Sequence, residues 1–209
     1  MARLVPATAD DRSDAAAFAG RVARWDPARP VRLMADGDRV LLWADTPFDV
    51  LATRAVAGTL RPSDVTVRAA DLLAGLAVST AAEVDPGRGV DGAWRARLPP
   101  GSGWTDVQRV PAERIAELVR EGADLARAAG DGSGAASADL LDSPALQVAG
   151  GTMQVTVTMR VLFALSGMGF APDAPREQVR VRATRTWLRL DARFGAVVRR
   201  RQPLLPLLV

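Results

Sequence analysis

Carboxylates and guanidinium groups are the only strongly ionisable side chains in this sequence. Its 209 residues include no histidine, cysteine or tyrosine, and every basic residue is arginine. That removes the usual general base, the thiol, the phenol and the Schiff-base amine. A Ser-His-Asp triad cannot be assembled, nor a phosphate loop that needs a lysine, nor a zinc site of histidine or cysteine. What remains is carboxylate acid–base chemistry or anion binding by arginine. No complete catalytic, metal-binding or nucleotide-binding signature is present, so the chain reads as a non-enzyme without cofactor or metal.

The arginines are unevenly placed. Between Arg176 and Arg201 there are nine, against only Glu177 and Asp191, whereas the rest of the chain has 18 arginines and 22 acids. In VRVRATRTWLRLDARFGAVVRRR the alternation predicts a β-hairpin. Val179 and Val181 share one face, Arg180 and Arg182 the other, and Arg189 lies between Leu188 and Leu190. The candidate anion or nucleic-acid contacts are Arg180, Arg182, Arg185, Arg189, Arg199, Arg200 and Arg201, with Trp187 on the same surface. An ordinary solvent face in a protein that uses arginine where others use lysine is the simpler reading of the pattern.

Other motifs are weaker. GDGSG at 130–134 has the glycine spacing of a phosphate loop, but it follows a helix instead of linking strand to helix, so it reads as a linker. PPGSG at 99–103 is a turn or a backbone anion nest. Asp36, Asp38, Asp45 and Asp49 lie close in sequence, yet a hairpin turn and strand ends account for them without a cation. The apolar tail 203–209 must be covered. Leu204, Leu205, Leu207 and Leu208 dock on their own chain or form a subunit contact.

These residues need elements to hold them. Phe18, Val22 and Trp25 have helical spacing over 15–25, with Asp11, Ser13 or Asp14 as N-cap. Residues 31–35 and 39–44 form a hairpin around Asp36-Gly37. Residues 50–56 are extended, though their composition also permits a helix; 64–68 are extended, 69–76 helical, and 94–98 a further strand. Pro111 opens a helix with an apolar stripe of Ile115, Leu118, Val119, Gly122, Leu125 and Ala126. The second part of 140–148 is extended, as is 154–158. Met159, Leu162, Phe163, Leu165 and Met168 wrap so much of the next helix that it belongs inside the core, ended by Gly167 and Gly169. No internal repeat of fixed period is visible. The expected fold is α+β: an N-terminal domain of helix and antiparallel sheet over 1–104, packed with a C-terminal domain of helix and β-hairpin over 105–209 that carries a Gly/Ser-rich loop at 130–139.

LPPGSGW followed by a Pro-started helix, then MRVLFALSGMGF and WLRLDARFGAVVRR, resembles a family of conserved hypothetical proteins from actinobacteria. That resemblance implies two adjoining domains of unknown function and carries over no catalytic residue. The order of elements in the N-terminal half is also loosely similar to half of a sliding-clamp domain, a pattern common to many sheets.

No apolar run approaches the ~20 residues that span a bilayer, and the first residues lack the apolar segment of a secretion signal. The expectation is a folded cytoplasmic protein of unknown function. Its partners are another protein or itself, in a non-enzymatic interaction or scaffold role. Nucleic-acid binding through the C-terminal hairpin is the alternative.

Overall fold

The computed structural model describes residues 1–78, 82–129, 137–151, 153–171, 174 and 176–201. The fold is α+β, with mainly antiparallel strands. The chain divides into two compact units, Met1–Pro47 with Leu51–Arg97, and Phe48–Val50 with Leu98–Val209. Among the described residues no helix is long and apolar enough to cross a membrane.

The first unit begins with β1 (Arg3–Pro6) and α1 (Ala9–Trp25), then β2 (Pro30–Asp36), β3 (Arg39–Asp45), β4 (Leu51–Arg61), β5 (Asp64–Arg68) and α2 (Ala69–Val78). Its strands run in the order β5-β2-β3-β4, with β1 paired antiparallel to the C-terminal end of β4, from Gly58 to Arg61. The tight turn between β2 and β3 uses Gly37 at φ +63°, the left-handed geometry that Asp-Gly turns supply. Helix α1 buries Ala15, Phe18, Ala19 and Val22, and packs beside α2. It starts earlier than its apolar spacing indicates, because Thr8 caps it. The Thr8 hydroxyl accepts from the Asp11 backbone N–H at 3.1 Å and donates to the Asp11 carboxylate at 2.6 Å. The other Asp11 oxygen accepts the Ala57 N–H at 2.8 Å, which ties the cap to β4. Residues 94–98 form no strand; a single 3-10 turn, Asp91–Ala93, precedes them.

The second unit contains β6 (Thr105–Pro111), α3 (Ala112–Ala129), α4 (Ala138–Asp142), β7 (Pro144–Gly150), β8 (Met153–Thr158), α5 (Met159–Gly167), β9 (Gln178–Ala183), β10 (Trp187–Ala192) and β11 (Gly195–Arg200). Pro111 closes β6 and the helix begins one residue later, so the proline without an N–H sits at a strand end. Helix α5 is the buried spine: Val161, Leu162, Ala164, Leu165 and Met168 are all buried. On α3 the stripe is narrower than its sequence indicates, since Leu125 is 59% exposed.

The expected C-terminal hairpin is a three-stranded meander. The β10–β11 turn, Arg193-Phe194, lacks any Asn-Gly or Asp-Gly signal. It works because Gly195, at φ +155°, lies against Phe170, where a Cβ would come within 2.6 Å of the ring. The β9–β10 turn is closed by Thr184, whose hydroxyl accepts the backbone N–H groups of Thr186 and Trp187 at 3.2 and 3.0 Å.

The order strand, helix and antiparallel meander occurs twice: β1-α1-β2-β3-β4 and β8-α5-β9-β10-β11. In both, the first meander strand also pairs with a strand that runs straight into another helix, β2 with β5 and β9 with β6. This is a repeat of topology. The residues share only alternating apolar character, so no fixed sequence period reveals it.

Candidate functional site

The arginines at the C-terminal end do not form one surface. Antiparallel register sets Arg182 opposite Arg189, and Arg180 opposite Asp191 on one side and Arg109 on the other. Around the half-buried Asp191, Arg182 donates Nε to Oδ2 at 2.6 Å and Nη2 to Oδ1 at 2.9 Å, and Arg189 donates Nε to Oδ1 at 2.7 Å. Arg180 stands farther off, 3.9 Å from Asp191 and 3.8 Å from Asp106. Burial of Asp191 disfavours its charge. The hydrogen bond from Arg182 and the charge of Arg189 outweigh that cost, and its carboxyl ionises below the ordinary value of 3.8.

The guanidinium of Arg189 also lies 6.0 Å from the ring centre of Trp104. Trp104 donates its indole N–H to the Pro100 carbonyl at 3.0 Å. The PPGSG stretch is thus bound back on itself by the tryptophan that follows it. Trp187, expected on the arginine surface, is buried.

Arg199 belongs to the opposite face, because its register partner is the buried Leu188. There it lies 3.4 Å from Asp49 and 3.6 Å from Asp142. Arg160, the one charge on α5, completes this group. It donates Nε to Asp142 at 2.8 Å and Nη1 to the Phe48 carbonyl at 3.0 Å. The hydrogen bond from Arg160 holds the Asp142 carboxyl below its ordinary range. A lone arginine in an apolar helix is a visible signal that a partner is needed, but the sequence does not say which carboxylate answers it.

At the end of the meander Arg201 donates to the carbonyls of Thr184 and Gln154, at 2.9 and 3.2 Å. Arg185 and Arg200 are exposed. Asp36 sits opposite Arg39 in the first hairpin and Asp45 takes Arg29 at 3.0 Å. Among the described residues no three acids gather as cation ligands. Residues 130–134 and the tail leucines Leu204, Leu205, Leu207 and Leu208 lie outside the described residues.

The fold is clamp-like: solved structures of sliding clamps match almost the whole chain. A putative DNA polymerase III beta subunit from Eubacterium rectale ATCC 33656 aligns with TM-score 0.63 and 12% identity over 98% of this chain and 66% of its own. The DNA polymerase sliding clamp from Bacillus subtilis aligns at 0.61 and 12%, over 99% and 66%. That from Caulobacter crescentus aligns at 0.59 and 13%, over 99% and 67%. The chain therefore spans about two thirds of the length of these clamps. At such identity the likeness is one of fold.

The chain belongs to the family described as Domain of unknown function (DUF8185), which matches residues 99–204. Residues 1–96 match an adjoining Domain of unknown function (DUF8010). No curated protein matches the chain.

These matches correct the functional expectation. A generic interaction or scaffold module gives way to a clamp-like fold, and the nucleic-acid-binding hairpin gives way with it. The strands that carry the arginines are a meander integral to that fold, with Arg182 and Arg189 hydrogen-bonded to its own Asp191.

Proposed function

We propose that this chain is a clamp-like accessory protein of the cytoplasm. It catalyses nothing itself, self-associates, and engages DNA together with protein partners. The observation that carries the reading is the fold likeness to DNA polymerase sliding clamps along 98–99% of the chain. Charge argues that any DNA association depends on enclosure or partners more than on phosphate attraction. Helix α3 has four acids against three arginines, and α1 three against three. Leu204, Leu205, Leu207 and Leu208 are the candidate subunit contact. The hairpin arginines are given no part in it.

The test is retention on closed circular duplex DNA compared with the same DNA linearised. A protein that slides is kept by the circle and lost from free ends at a salt concentration that removes ordinary phosphate contacts. Equal loss from both forms, with no recovery when cell extract supplies partners, overturns the proposal.

A further inference from the structure

After α1 and after α5 the chain builds a meander, but after α2 it does not. Instead residues 82–97 cross the first unit as a strap. Val84 exchanges two backbone hydrogen bonds with Leu4 of β1, at 2.8 and 2.9 Å. The Asp85 carbonyl lies so close to Gly75 that a Cβ there would come within 2.1 Å of it. On β5 the strap hydrogen-bonds to Thr66 through both of its backbone groups. The Val90 N–H donates to the Thr66 carbonyl at 2.7 Å, and the Thr66 N–H donates to the Asp91 carboxylate at 2.6 Å.

Those are the two groups that Thr66 would offer to another strand. In a hydrogen-bonded antiparallel pair, facing residues exchange both N–H···O bonds. The strand beneath the strap is also self-complementary. β5 reads Asp-Val-Thr-Val-Arg. Paired antiparallel with a copy of itself about Thr66, it sets Asp64 opposite Arg68 of the second copy, Val65 opposite Val67, and Thr66 opposite Thr66. Opposite charges then meet at both ends, and a two-fold axis passes through the middle.

We infer that β5 is a latent two-fold pairing edge for a second copy of this chain, and that the strap closes it by occupying the hydrogen bonds at its centre. Such guarding keeps an otherwise open strand from uncontrolled association. The inference rests on the backbone bonding of β5 and stands apart from the clamp reading, because it requires no DNA.

The test compares the full chain with the double variant Val90→Pro/Asp91→Ala, which removes the donor and the acceptor. Sedimentation over a range of concentrations is expected to show the double variant reaching twice the mass that the unaltered chain shows at the same concentration. Adding Arg68→Asp sets like charges opposite each other and is expected to abolish that doubling. A released variant that keeps the unaltered mass at every concentration overturns the inference, as does a doubling indifferent to Arg68→Asp. If the double variant does not fold, Asp91→Ala alone is followed by hydrogen exchange. The Thr66 amide should exchange freely when dilute and regain protection when concentrated. Protection independent of concentration overturns the inference equally.

Discussion

Arg182 and Asp191, on neighbouring strands of the second unit, meet in a two-point contact of 2.6 and 2.9 Å, while Arg189 takes the same carboxylate from two residues away. The side chains of Arg182, Arg189 and Asp191 are each less than a quarter exposed. The aspartate therefore holds together guanidinium groups that would otherwise repel at close range.

Replacing it with Asp191→Asn is expected to cost about 2–3 kcal/mol, measured by denaturant unfolding. The pH dependence has a definite sign. The folded-state pKa is lowered, so the stabilisation is complete above the ordinary carboxylate range and is lost as pH falls through the folded value. The gap between the unaltered chain and Asp191→Asn should be full at neutral pH and close in strong acid.

Arg160 offers a second measurement. Its side chain is only 12% exposed and reaches both Asp142 and the Phe48 carbonyl. Arg160→Ala should cost about 2–3 kcal/mol, and Arg160→Lys should recover only part of it, because an ammonium cannot reproduce the two-sided geometry. A double-mutant cycle with Asp142→Ala should return a coupling of about 1–3 kcal/mol. Additive effects would show that the pair is not what stabilises this corner.

In a helix, Gly→Ala ordinarily gains about 1 kcal/mol. Gly75→Ala should do the opposite, since its Cβ would sit 2.1 Å from the Asp85 carbonyl oxygen. The expected outcome is a loss of about 1–3 kcal/mol with faster exchange of the Val84 and Val90 amides.

The elements that alternation or strong periodicity marks were legible in the sequence. Asp36-Gly37 announced the first hairpin, and the apolar wrap of Leu162 and Leu165 announced the buried α5. Short edge strands were not legible. β1 has four residues, and β6 carries a bulge that breaks its alternation into exposed pairs. Turns made by context escaped too. Arg193-Phe194 carries no turn signal, and its geometry depends on Phe170, distant in sequence. The candidate site was half visible. The density of arginines could be counted, but only cross-strand register shows that Asp191 gathers Arg182 and Arg189 while Arg199 faces the other way. Leu125 fits its helical stripe by spacing and is nevertheless exposed, since a stripe tells which side is apolar and not how far the neighbouring element reaches.

Residues 48–50 belong to the second unit although the chain on both sides of them belongs to the first. Phe48 stands 6.0 Å from Phe163, Val50 is buried, and Asp49, at φ +56°, faces Arg199. The second unit is thus not a contiguous piece of the gene. A fragment starting at Leu98 would lack three of its own residues and leave Arg160 without one of its acceptors, whereas adding a short peptide of 46–51 would return them. Any dissection of this protein into halves has to cut it as an interleaved text and not as two successive paragraphs.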